Sequence, residues 1–122
     1  MQMAKMEKSD MVETLRKSLV HCMKAGDTLV LNCDKLSPDF KTMFDGCADF
    51  PLDDMMQFDH WRKETEYIKV VRKEEKDQDY YAIHNDFCMC FLQTYTNDEA
   101  MQEFVSKIPH ADKQQILIVE WD

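Results

Sequence analysis

Apolar positions along the first third of the chain recur at helical steps. Val12, Leu15, Leu19, Cys22 and Met23 fall on one stripe of a 3.6-residue period, which predicts an amphipathic helix over Asp10–Lys24. Asp10 and Glu13 have capping-box spacing at its start, and Gly26 is placed to end it. Thr28-Leu29-Val30-Leu31-Asn32 then reads as a short buried strand running into polar residues. Ser37-Pro38-Asp39 offers an N-cap and a first-turn proline for a second helix carrying Phe40, Met43 and Phe44, with Gly46 as its stop. A turn is expected around Phe50-Pro51-Leu52-Asp53-Asp54, with a single helical turn after Pro51.

The texture then changes. Glu66–Arg72 alternates around Tyr67, Ile68, Val70 and Val71, and a charged tip over Lys73–Gln78 leads into Asp79–His84, a pattern that predicts a β-hairpin with a solvated loop. Phe87–Thr94 reads as a second buried strand, which also ends in polar residues. Asn97 is an N-cap for a helix over Asp98–Lys107, with Met101, Phe104, Val105 and Ile108 facing inward and Pro109 ending it. Gln115–Trp121 is the third apolar strand. This order is α/β, with parallel pairing expected among the three apolar strands. Residues 1–9 are expected to be a flexible N-terminus and residues 10–122 a single α/β domain.

Composition narrows the partners. A chain of 122 residues holds one core, and 44% hydrophobic with 32% charged residues fits a globular protein rather than a disordered one. A formal net charge of −9 argues against nucleic acid and anionic membrane surfaces, both of which reward lysine and arginine. The chain has no 18-residue apolar run and a polar first ten residues, so a cytoplasmic protein is expected. Five cysteines at irregular spacing suggest free thiols rather than a disulfide framework. Ten methionines, which fill irregular gaps and adaptable contact surfaces, hint at a protein partner.

Three segments carry a family resemblance. Residues 18–31, Ser-Leu-Val-His-Cys-Met-Lys-Ala-Gly-Asp-Thr-Leu-Val-Leu, look like the helix, glycine turn and strand that lead to a Walker B position. Glu66–His84 looks like a small hairpin insertion, and Phe87–Tyr95 followed by Asn97 is similar to a sensor-one strand and its polar loop. Taken in order, over roughly residues 11 to 122, they resemble the AAA+ modules of dynein heavy chains, particularly the fifth module of the motor ring. The resemblance implies a small three-layer, P-loop-NTPase-like partial fold: a mainly parallel short sheet with flanking helices and a β-hairpin insertion.

The departures from that pattern bear on function. Phosphoryl transfer needs a phosphate cradle and carboxylates that hold magnesium and orient water. The chain has only two glycines, Gly26 and Gly46, and no Gly-x-x-x-x-Gly-Lys-Ser/Thr. Asn32 and Cys33 stand where the Walker B acids belong, with Asp34 one place late. ATP hydrolysis is therefore not expected, and no cofactor is assigned. A sheet without its phosphate-loop strand must close up or expose unpaired edges, which proteins rarely leave uncovered. The resemblance thus implies a non-catalytic structural or docking subunit of a larger cytoskeletal assembly, dynein-related and ciliary or axonemal.

The contact candidates for a protein partner are Trp61, Arg62, Tyr67 and Lys69 on the expected hairpin, and Met55, Met56 and Phe58 ahead of it. The alternative is a small nucleotide- or ligand-binding enzyme or sensor using the strand ends, at Asn32, Asp34, Gln93 and Thr94. His84, Cys88 and Cys90 are spaced His-x3-Cys-x-Cys, with Cys33, Cys47 and His60 as the nearest further zinc donors. Read without a metal, the two thiols are small hydrophobes of a core strand. The acid pairs Asp53-Asp54 and Asp98-Glu99 fall at expected helix starts, where the helix dipole favours them.

Overall fold

The computed structural model describes residues 8–78, 80–95 and 97–117. Its longest element is the expected amphipathic helix, α1 (Lys8–Ala25), whose stripe buries Leu15, Leu19 and Met23 completely. Lys8 and Ser9 are already helical, so the Asp10–Glu13 pair lies inside the helix and is not its cap. Glu13 instead turns toward Arg16, with Nη2 donating to Oε1 at 2.6 Å. Gly26 ends the helix at φ +77°, with its own N–H and that of Asp27 donating to the Cys22 carbonyl.

Strand β1 (Thr28–Asp34) follows at once and pairs in parallel with β2 (Cys88–Gln93), from Thr28 opposite Cys88 to Asp34 opposite Gln93. Burial alternates along β1. Leu29, Leu31 and Cys33 face the core, while Thr28, Val30, Asn32 and Asp34 face outward. The register places Cys88, Cys90 and Leu92 on the same outward face, which is exposed. The two strands are therefore half-buried, not buried on both faces as their apolar runs suggest. Cys88 and Cys90 are not core hydrophobes, because the pleat turns the odd member Met89 inward between them.

The linking segments complete the core. Residues 35–51 insert Phe40, Phe44 and Phe50, each at most 5% exposed. Phe40 packs between Phe91, at 4.8 Å between ring centroids, and Phe104, at 6.3 Å. The expected helix after Pro38 is instead a run of turns. Only Met43 N–H to Asp39 C=O is a helical bond, while Thr42, Asp45 and Cys47 bond three residues back. A stretch this short before Gly46 (φ +69°) cannot offset the cost of helix nucleation without packing along its length.

Three single-turn helices follow: α2 (Leu52–Met55), α3 (Phe58–Trp61) and α4 (Glu64–Tyr67). The turn expected after Pro51 is α2, with Asp53 and Asp54 in its first turn. The β-hairpin expected over Glu66–His84 does not form. α4 runs into a 3-10 turn at Ile68–Val70, and Lys73–Glu75 makes another. Among the described residues a single antiparallel bridge joins Asp77 to Tyr80. The reason lies in the period: Tyr67, Val70 and Val71, at i, i+3 and i+4, are the buried residues, which is helical spacing and not strand alternation.

Asn97 caps α5 (Asp98–Ser106), its side chain accepting from Ala100 N–H at 2.8 Å, and Phe104 and Ile108 reach the core. A 3-10 turn at Ala111–Lys113 follows. Of the third expected strand, residues 115–117 take no strand conformation, and the rest lies outside the described residues, as do residues 1–7 of the expected N-terminal segment. The fold is thus α/β, a two-stranded parallel sheet with flanking helices. Among the described residues no third layer covers the outward face.

Candidate docking surface

Five of the seven contact candidates meet at one place. α2 and α3 bring Met55, Met56, Phe58, Trp61 and Arg62 to a cleft of about 110 Å³ beside Phe87 and the start of β2. Their accessibility differs. Met55, Met56 and Trp61 are buried and form the floor, with the Trp61 indole N–H lacking a hydrogen-bond partner. Phe58, at 62% exposed, stands at the rim. The Arg62 guanidinium lies 3.9 Å from the Phe58 ring centroid and donates to the Phe87 carbonyl. Burial lowers the Arg62 pKa from its ordinary value, yet a guanidinium stays charged at neutral pH. The cleft therefore offers one fixed cation at the edge of an apolar floor.

The other two candidates lie elsewhere. Tyr67 is packed inward, 6.1 Å from the Tyr81 ring, because the helical turn at α4 points it at the core. Lys69 is exposed and bonds the Glu66 carboxylate at 2.9 Å.

A larger cavity of about 320 Å³ adjoins this cleft, between β2, α5 and residues 114–117. Met56, Met89 and Gln114 line both, so the apolar lining is continuous along β2. Gln114 fixes the passing chain, its Nε2 donating to the Met56 carbonyl at 2.8 Å. Methionines 56, 89 and 101 contribute to the lining, which places part of the methionine excess noted in the sequence at one surface. Around the edge of the sheet lies the outward face, with Val30 39% and Leu92 52% exposed. Among the described residues each strand has only the other as partner, and no further strand pairs with either sheet edge.

The strand-end residues do come together. Thr94 N–H donates to the Asp34 carbonyl at 2.7 Å, and Asp34 N–H to Asn32 Oδ1 at 3.0 Å. Asp34 sits at φ +52° beside a register shift between Asn32 and Asp34. Gln93 Nε2 donates to the Leu36 carbonyl at 2.9 Å, which leaves its buried Oε1 unpartnered. The bonds of this cluster close the strand ends through the backbone of Asp34 and Thr94, Asn32 Oδ1 and Gln93 Nε2.

The His84, Cys88 and Cys90 set is not assembled. His84 Nδ1 accepts from Asp86 N–H at 3.0 Å, while Cys88 Sγ lies 3.2 Å from Thr28 Oγ1 across the strand pair. The one clustering of metal-type donors among the described residues is Asp54, His60 and Glu66. Sequence reasoning held His60 as an accessory donor and missed the two acids. Their six-residue spacing, Asp54-x5-His60-x5-Glu66, is a signal only once each is known to sit on its own single-turn helix.

No protein-family model, curated protein or solved structure matches the chain.

Proposed function

We propose that this chain is a non-catalytic docking or structural subunit, held in a larger assembly by the outward sheet face and the cleft beside β2. The observation that carries this reading is the parallel pair β1–β2 with one face and both edges free among the described residues. Parallel strands are ordinarily covered on both faces, and free edges ordinarily pair or are shielded. Val30 and Leu92 lie on that face, and the cleft beside it adds Phe58 and Arg62, the aromatic and arginine types enriched in contact surfaces. The resemblance of residues 18–31 and 87–97 to a dynein AAA+ module without its phosphate loop supports a P-loop-like ancestry and a dynein-related, ciliary or axonemal assembly as the place where such a piece works.

Extraction of ciliated cells, first with detergent and then with high salt, tests the reading. The protein is expected to remain in the salt-resistant axoneme and to cross-link there to a protein partner. Recovery as a free monomer in the detergent fraction would count against it. A stabilising shift with Mg-ATP in that fraction would favour the strand-end ligand reading instead.

A further inference from the structure

We infer that Asp54, His60 and Glu66 form a binding site for a divalent transition-metal ion of the zinc class. Each donor comes from a different single-turn helix: Asp54 from α2, His60 from α3 and Glu66 from α4. His60 Nε2 lies 3.2 Å from Glu66 Oε1 and 3.7 Å from Asp54 Oδ1, and all three donor atoms lie within 4.8 Å of one another. Zinc bonds of about 2.0–2.2 Å in a tetrahedron set donor separations of about 3.3–3.5 Å, close to both distances measured from the imidazole.

The convergence on one nitrogen is the informative part. An imidazole Nε2 carries at most one hydrogen and can direct it at one carboxylate. Two carboxylates drawn to the same nitrogen cannot both accept its proton; Glu66 Oε1 takes the Lys69 ammonium instead, and an ion between the three groups gives all of them one common partner. All three side chains are part-exposed, so an ion has access from solvent and keeps a position for water or a partner's side chain. The donor set of one nitrogen and two oxygens suits zinc, cobalt or nickel better than the oxygen-only shells of calcium and magnesium.

One group competes for the site. Lys69 Nζ is 2.9 Å from Glu66 Oε1, the same oxygen that faces His60, so metal binding requires the ammonium to swing out. Lys69 is exposed and free to do so. An ion here pins α2, α3 and α4 to one another, and those turns carry Met55, Met56, Phe58, Trp61 and Arg62 of the cleft. The metal site stands on its own donors and does not depend on the docking reading.

The test is a titration of the folded chain with Co2+, followed by visible absorption and calorimetry. One equivalent is expected to bind with the weak visible bands of nitrogen and oxygen ligands, without the intense near-ultraviolet absorption of thiolate ligation. H60A and E66Q are each expected to weaken binding about tenfold or more. K69M removes the competing ammonium and is expected to tighten binding severalfold, which keeps the proposal testable even where H60A unfolds. Thiolate-type absorption, an affinity unchanged by E66Q, or an affinity unchanged or weakened by K69M each overturns the assignment.

Discussion

Arg16 Nη1 reaches across 59 residues of chain to Glu75 Oε1 at 2.6 Å, and the same nitrogen donates to the Val70 carbonyl at 2.9 Å. Glu13, one turn earlier on α1, holds the other side of the guanidinium through both carboxylate oxygens. Arg16 is only 2% exposed, the one buried charged residue among the described residues. It ties the long helix to the 3-10 turns that replace the expected hairpin, where the backbone has no sheet ladder of its own to fix it.

Replacing Arg16 with methionine keeps its stem but leaves the Val70 carbonyl and the Glu13 carboxylate without their donor, while Glu75 keeps only the Arg72 N–H. The expected loss is about 2–4 kcal/mol, read as a lower urea midpoint at unchanged slope. E75Q, which keeps an acceptor oxygen, is expected to cost about 1 kcal/mol. A loss well under about 1 kcal/mol in the methionine variant would show that Arg16 acts through the packing of its stem alone.

The hydrogen bond from Arg16 holds the Glu13 carboxyl below its usual range. A folded pKa below the unfolded one makes stability complete above the unfolded value, about 4.3, and lost as pH falls through the folded value. The urea midpoint of the native chain is therefore expected to drop from pH 5 toward pH 3, and its lead over E13Q to shrink across that window. A gap between the two that stays constant with pH would remove Glu13 from the account.

Gly26 and Gly46 both occupy the left-handed region, at φ +77° and +69°. A Cβ on Gly26 would lie 2.6 Å from His84 Nδ1, while one on Gly46 meets nothing within 4 Å. G46A is thus expected to cost about 1 kcal/mol, the backbone term alone. G26A is expected to cost more, because His84 is itself held by its N–H to the Met23 carbonyl at 2.7 Å and cannot retreat freely. Matched thermal melts of the two variants measure the difference directly.

What the sequence conveyed and what it hid follow from range. α1, β1, β2 and α5 were legible because each has a local cause: an apolar stripe, a glycine in the left-handed region, an Asn97 cap. The hairpin misled because Tyr67, Ile68, Val70 and Val71 fit a two-residue alternation as well as a helical i, i+3, i+4 set over so few residues. Only the packing of Tyr67 against Tyr81 decides between them. The outward face of the sheet was hidden for a related reason. Phe87–Leu92 is a continuous apolar run, and such a run does not reveal which of its alternate residues lack a cover. The approach of Asp54, His60 and Glu66 depends on how three single-turn helices are oriented, which no local pattern encodes.

The five thiols are expected to differ in reactivity by position. Cys33 is buried in β1, and burial pushes its pKa up to about 11. At pH 8 that leaves about one molecule in a thousand as the reactive thiolate, behind a closed core. Cys22 is raised too, by burial first and then by the nearby Asp27 charge. Cys88 and Cys90 stand exposed on the outward face. Brief iodoacetamide treatment followed by peptide mass mapping is expected to find Cys88 and Cys90 labelled first and Cys33 only after denaturant. Early labelling of Cys33 would mean that the sheet opens from α1 in solution.

The outward face allows assembly to be separated from folding. Val30 and Leu92 are exposed on neighbouring strands and contribute little burial to the isolated chain. V30T combined with L92K keeps strand-compatible side chains, so the folded monomer is expected to stay within about 1 kcal/mol of the native chain. If the face is covered in an assembly, the lysine places an unpaired charge in an apolar contact, and each such burial costs several kcal/mol. The double variant is then expected to fold normally, by circular dichroism and urea midpoint, yet to appear in the detergent-soluble fraction of ciliated cells. Retention in the axoneme at native levels would move the contact away from this face and toward the Phe58–Arg62 cleft, where F58A and R62A provide the matching test.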